Sequence, residues 1–231
     1  ILKIESRVIL ENGQNDWKFI LGIVDKYLNH KERKSIYKLI KKSIDQMWIE
    51  PENAGGVGGI RNRFKAIAQG RYKGVIKYKI CSLFDSDRDS NMILKDEQRE
   101  IIRAFKADDK ISKIDDAVYS PSDQITWHML YKRSIENYIP VEILAEYLPI
   151  PQAYLKILEN LTSDEYDFYK FVDMRGIAIK QQFPELFLKH WTKDKIEKRC
   201  ENHLCRIELP NDTMLAVSEI EIILLKIAII I

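Results

Sequence analysis

Apolar and polar residues alternate from position 2 and then run unbroken through Val8, Ile9 and Leu10, the pattern of a strand entering the middle of a sheet. Glu11 ends the run. Residues 12–16 read as a turn, with Asn15 or Asp16 as N-cap for a helix in which Trp17, Ile20, Ile23, Val24, Tyr27 and Leu28 recur at helical spacing. A second helix is predicted over 32–45, basic on one side and apolar through Ile36, Leu39, Ile40 and Ile44. A short strand at 47–50 and a glycine-rich loop at 54–59 precede a helix over 60–69. The next strong strand, 78–84, runs into an acidic turn and a helix over 93–107. Strand and helix alternate three times, which predicts an α/β fold with a largely parallel sheet flanked by helices, its ligands gathering at the carboxyl ends of the strands. Past residue 120 the pattern changes to a possible strand at 125–130, a turn at Ile139-Pro140 and mainly helical periodicity to about 187. The expected division is therefore a core over 1–120 and a helical extension over 121–231.

Composition narrows the class. The chain has 231 residues, 45% of them apolar and 31% charged, with 9 Gly and 7 Pro, which excludes disordered, collagen-like and fibrous readings. Three cysteines do not make a disulfide framework and favour a reducing, cytoplasmic setting. No window has the roughly 18 uninterrupted apolar residues of a membrane span, and no leader pattern is legible at the start. Net charge is only +2, but it is unevenly spread: residues 31–79 carry 13 Lys or Arg against 4 Asp or Glu, and residues 85–116 carry 10 acidic against 7 basic. A basic surface beside an acidic cluster suits an anionic polymer brought to a metal ion. Solvated faces of charged helices are the plainer explanation of such runs.

The acidic turn holds the most chemistry. Asp85-Ser86-Asp87 follows an apolar strand directly, with Asp89 two positions on. In an extended segment side chains two apart point the same way, so Asp85 and Asp87 can face one cation, and their hard oxygens suit Mg²⁺ or Mn²⁺. A calcium loop is a poor match, because Ser90 stands where its glycine belongs and Asp96 where its final glutamate belongs. An isolated Asp-x-Asp is otherwise a polar turn with a helix cap.

Taken together, Val8-Ile-Leu-Glu-Asn-Gly-Gln-Asn-Asp16 and Cys81-Ser-Leu-Phe-Asp-Ser-Asp87 resemble the TOPRIM domain shared by topoisomerases, primases and the OLD (overcoming lysogenization defect) nucleases. The resemblance covers residues 1–120 and implies a Rossmann-like core. It implies acid-base or metal-binding work for Glu11 and divalent-metal binding for Asp85 and Asp87; the acidic turn itself adds Asp89 as a further candidate metal ligand. Asn12 stands where family members often have Gly after the glutamate. The segment from Gly55 to Phe64 looks like the one after the second strand of OLD-like members. His128-Met-Leu-Tyr-Lys-Arg-Ser-Ile-Glu-Asn-Tyr138 looks like a segment of small stand-alone TOPRIM nucleases of bacterial anti-phage defence, including the effector of the PARIS system, which works with an ABC-type ATPase. On that likeness Glu136 completes the carboxylate set, and Lys132 or Arg133 neutralises a phosphate. Arg175 could add a further cation.

Other features point less far. Gly55-Gly-Val-Gly-Gly59 lacks the Gly-Lys-Ser/Thr ending of a P-loop and reads as a flexible loop. His190, Cys200, His203 and Cys205 lack the paired spacing of a zinc site, so free cysteines in a helix are the default. The apolar run 220–231 belongs either to the core or to a homodimer or partner contact.

Two functions are expected to compete. The first is a metal-dependent nuclease cutting DNA or structured RNA, a toxic antiviral effector held in check by a partner ATPase, with phosphate contacts from Lys38, Lys42, Arg61, Arg63, Lys65, Lys132 and Arg133. The second is a non-catalytic nucleic-acid-binding or assembly subunit on the same scaffold.

Overall fold

The computed structural model describes residues 4–30, 32–172, 179–203, 205–208 and 214–231. The chain opens with β1 (Ser6–Leu10), α1 (Gly13–Tyr27), α2 (Lys34–Asp45), β2 (Ile49–Asn53), α3 (Val57–Gln69) and the short α4 (Ile76–Lys79). It continues through β3 (Ile80–Phe84), α5 (Asp96–Lys106), β4 (Thr126–Met129), a 3-10 turn (Ile135–Tyr138), α6 (Val141–Tyr147), α7 (Gln152–Glu159) and α8 (Ser163–Asp167). The last part comprises α9 (Ile179–Glu185), a π-helical turn (Leu186–His190), α10 (Lys193–Cys200), the antiparallel pair β5 (Cys205–Glu208) and β6 (Met214–Val217), and α11 (Glu219–Ile229).

β1 to β4 form one parallel sheet in the order β2-β1-β3-β4. Its period-2 alternation divides the core in two. Val8, Leu10, Cys81 and Leu83 point to one face, against α1, α2, α11 and the helices of the second half. Ile9, Ile80 and Phe84 point to the other, with Ile60 and Phe64 of α3 and Ile101, Ile102 and Phe105 of α5. The result is the expected α/β arrangement, a parallel sheet with helices on both faces.

The strand order fixes where a ligand belongs. After β1 the chain moves to one side for β2 and returns to the other side of β1 for β3, so the direction of winding reverses between β1 and β3. The crevice beyond the carboxyl ends of these two strands is the topological switch point. Leu10 lies opposite Leu83 in the ladder, so Glu11 and Asp85 leave neighbouring strands only about 5 Å apart across the sheet.

Several expectations change in detail. The division near residue 120 falls inside the sheet, since β4 completes it, and residues from Val8 to Ile230 share one core. α1 begins at Gly13, because Asn12 is the N-cap: its side chain accepts from the Asn15 amide at 3.4 Å, while Asp16 accepts from the Asn12 amide at 2.8 Å. The helix placed at 60–69 starts at Val57, because the second half of the glycine loop is its first turn. The run 220–231 takes the first of its two placements: Ile220, Ile223, Leu224, Ile227 and Ile230 are buried against the sheet and α2. Among the described residues no helix is long and apolar enough to cross a membrane.

Candidate carboxylate site

A cavity of about 280 Å³ opens at the switch point. Glu11, Asp16, Asp85 and Glu136 line it, with Asn12 and Asn15 of the first turn of α1, and α9 and the π-helical turn contribute Lys180, Gln181, Phe183, Pro184 and Phe187. Four carboxylates from three separate stretches of chain thus meet one space.

Local structure explains each placement. Glu11 is the first residue past β1, and its carbonyl accepts from the Gly56 amide at 2.9 Å, drawing the glycine loop against it. Gly56 holds a φ of 108° that favours glycine, and close packing around it needs glycine too: a Cβ on Gly59 would stand 1.9 Å from the Ala54 carbonyl oxygen, and one on Gly13 would stand 2.7 Å from the Asn53 Cβ. Asp16 lies one turn into α1, near the positive end of the helix dipole. Asp85 follows β3. The turn after it is fastened to the segment beyond β4: Ser86 Oγ donates to the Lys132 carbonyl at 2.8 Å, the Asp87 amide to the Arg133 carbonyl at 2.9 Å, and the Arg133 guanidinium to the Arg88 carbonyl at 2.9 Å. Asp87 takes a left-handed φ of 50° within this turn.

The Glu-Asn-Tyr sequence acts as a clamp that holds its first member at the cavity. Asn137 is fully buried; its Nδ2 donates to the carbonyls of Tyr166 at 2.7 Å and Tyr169 at 2.9 Å, and its Oδ1 accepts from Ser134. The Tyr138 hydroxyl donates to Glu219 at 2.5 Å. With Asn137 and Tyr138 fixed inward, Glu136 faces the cavity beside Ile135.

The electrostatics record the crowding. Burial, and then the charges of Asp87, Asp16 and Glu136, push the Glu11 carboxyl up to about 7, with Lys180 pulling the other way. Burial outweighs the Asn12 hydrogen bond and raises Asp16 to about 7, with Glu136 adding to the rise. Asp85 is raised well above the ordinary carboxylate range by burial and then by Glu136, Glu11, Asp16 and Asp87. Three acids raised by burial and by the charges of neighbouring carboxylates mark a site short of positive charge.

The donor set suits a hard divalent cation. Glu11 Oε2 is buried without a hydrogen-bond partner, and the other carboxylates lining the cavity offer further oxygens. Among the described residues, no three Asp, Glu, His or Cys side chains converge closely enough to hold an ion as they stand. An ion would have to draw the carboxylates inward by side-chain rotation.

Of the expected site residues, Glu11, Asp85 and Glu136 share the cavity. Asp87 stands beside them, within electrostatic reach of Glu11 and Asp85. Asp89 does not join them: its side chain is 69% exposed and bound to Arg133 and, at 3.0 Å, to Lys95. The expected phosphate contacts lie elsewhere. Lys132 is 0% exposed and 2.5 Å from Asp167, so its ammonium does not reach solvent or a phosphate. Arg133 is buried and engaged by Asp89 and the Arg88 carbonyl. Arg61 pairs with Glu100 at 3.3 Å and Arg63 with Glu52 at 3.4 Å, while Lys65 is exposed on α3. Lys38 and Lys42 line a separate cleft of about 780 Å³ between α2 and the end of α1. That end lies about 20 Å along the helix from the cavity. Arg175 and the side chain of Cys205 lie outside the described residues. His203 binds Asp167 at 3.0 Å and His190 stacks on Tyr147 at 3.8 Å, so these histidines have other partners than a shared zinc.

Two site residues escaped the sequence. Asp16 was legible only as a possible cap, although its place one turn past Glu11 is the signal that could have found it. Lys180 carries no local signal; tertiary packing alone brings α9 over the strand ends. In comparisons with known proteins, no family model, no curated protein and no solved structure matches this chain.

Proposed function

We propose that this chain is a divalent-metal-dependent nuclease with a TOPRIM-like core, cleaving phosphodiester bonds of DNA or structured RNA at the β1/β3 switch point. The observation that carries this reading is the meeting of Glu11, Asp16, Asp85 and Glu136 at one cavity, beside Asp87, where burial and mutual repulsion raise three of them far above ordinary carboxylates. Asp85, Asp87 and Glu136 would hold Mg²⁺ or Mn²⁺, with Glu11 Oε2 turned toward it. When bound, the metal supplies charge stabilisation at the phosphoryl oxygens and an activated water. Glu11, raised to about 7 by burial and its acidic neighbours, would give up its proton as the cation binds. Lys180, a cation on the cavity wall among the described residues, would meet charge on the phosphate. The resemblance noted in the sequence extends the proposal to an antiviral effector restrained by an ABC-type ATPase.

A second reading is favoured by one observation: the carboxylates do not close on a common point. A non-catalytic nucleic-acid-binding subunit would use the exposed lysines of α2 and leave the acids unfilled. Incubating the protein with plasmid and with total RNA, with Mg²⁺ or Mn²⁺ and with chelator, separates the two. Cleavage that chelator abolishes supports the nuclease, and salt-sensitive binding without cleavage supports the alternative.

A further inference from the structure

α5 turns an apolar stripe toward the sheet at positions 101, 102 and 105, and the same spacing places residue 98 on that stripe. The residue there is Gln98. It is 0% exposed, and its Oε1 is buried without a hydrogen-bond partner. An orphaned buried amide oxygen lowers stability, and a methionine or leucine would fit the stripe without that cost. The other end of the side chain shows what the amide does. Gln98 Nε2 lies 3.3 Å from the Asp85 carbonyl oxygen and 3.5 Å from Asp87 Oδ2, reaching both ends of the aspartate turn. Asp87 holds a left-handed φ of 50°, a conformation aspartate adopts more readily than most residues but one that contacts around the turn help to keep. From the opposite side the turn is held by the Ser86 and Asp87 hydrogen bonds to the Lys132 and Arg133 carbonyls.

We infer that Gln98 is a positioning residue: its carboxamide, bridging the Asp85 carbonyl and the Asp87 carboxylate, orients the aspartate pair for a divalent cation. The metal half of this inference rests on the proposed nuclease reading; the orientation of the turn does not. Partners of metal ligands typically change metal affinity by about 10–100-fold when removed. Gln98 therefore acts through the aspartates and touches neither substrate nor ion.

The test uses the whole chain with Gln98→Met, which keeps the shape and removes both the donor and the orphaned oxygen. Its melting temperature is expected to stay within a few degrees of the wild type's, removal of the orphaned oxygen offsetting loss of the donor to the Asp85 carbonyl. Native-state hydrogen exchange at the amides of residues 86–88 is expected to rise about 10-fold or more. Calorimetric Mn²⁺ affinity is expected to fall by about 10–100-fold. A markedly less stable Gln98→Met protein would overturn the inference, since Gln98 would then be a packing residue. Unchanged exchange in a folded variant would overturn it as well. If the wild type binds Mn²⁺ and Gln98→Met binds it equally, the positioning role fails while the metal reading stands. If the wild type binds no Mn²⁺ and exchange still rises in the variant, the metal reading fails while control of the turn by Gln98 stands.

Discussion

The Lys132 ammonium and the Asp167 carboxylate lie 2.5 Å apart, with side chains 0% and 1% exposed, and Arg199 and His203 converge on the same carboxylate. Asp167 also accepts, through its carbonyl, the Arg133 amide at 2.9 Å. This buried knot ties the segment that fastens the aspartate turn to α8 and α10. Removing one partner strands the other charge in the interior. Lys132→Met is therefore expected to cost about 3–5 kcal/mol in urea denaturation, a loss far larger than an exposed ion pair would give.

The acid cluster sets a pH dependence whose sign follows from the direction of its shifts. Glu11 and Asp16, ordinarily at 4.5 and 3.8, are each raised to about 7 in the folded chain, so the stability they contribute is full below about pH 4 and lost as pH rises through 7. Glu219 works the other way. Its bonds to His128, Tyr138 and the Tyr131 amide outweigh burial and lower its pKa, so its contribution is present above 4.5 and lost in acid. Between pH 5.5 and 8 the first effect dominates. Thermal unfolding of the wild type is expected to occur at lower temperature at pH 8 than at pH 5.5. Glu11→Gln should flatten that slope and raise the pH 8 midpoint by about 2–4 °C for each kcal/mol of repulsion removed.

The glycines of the loop beside Glu11 are not equivalent. Gly58 has open space where a Cβ would go and sits inside α3, so Gly58→Ala is expected to stabilise by about 0.5–1 kcal/mol. At Gly59 a Cβ would collide with the Ala54 carbonyl. Gly59→Ala is expected to destabilise by about 1–3 kcal/mol and to displace the loop whose amide binds the Glu11 carbonyl. Denaturation of the two variants side by side checks the contrast.

Lys34, Lys38 and Lys42 are exposed and recur every fourth residue along α2, whose first turn carries no acid. Like charges at this spacing weaken a helix, as does a cation at its N-terminus. If nucleic acid lies along this face, Lys38→Gln and Lys42→Gln should each reduce the dependence of log affinity on log salt concentration by about 0.7–0.9. Fluorescence anisotropy at several salt concentrations measures it.

Much of the fold was legible because its signals are local. The apolar runs ending at Leu10 and Phe84 fixed two neighbouring central strands, and the acids directly after them, Glu11 and Asp85, marked the strand ends. What stayed hidden depends on tertiary packing. Lys132 and Arg133 look like surface cations in sequence, yet Asp167 and Asp89, distant along the chain, draw them in. Asp89 shares the spacing of Asp85 and Asp87, but the left-handed backbone at Asp87 ends the extended geometry on which that spacing argument relied. Lys180 arrives from α9, about 170 residues after Glu11, and nothing in its surroundings along the sequence announces the encounter.

Whether the cluster at the switch point takes a divalent ion is measured most directly by calorimetric titration of the wild type, Glu11→Gln and Asp85→Asn with Mn²⁺ at pH 8. Saturable binding by the wild type is expected, weakened at least about 10-fold in both variants, while their melting temperatures stay level or rise. No binding by a folded wild type, or equal binding by all three proteins, would contradict it.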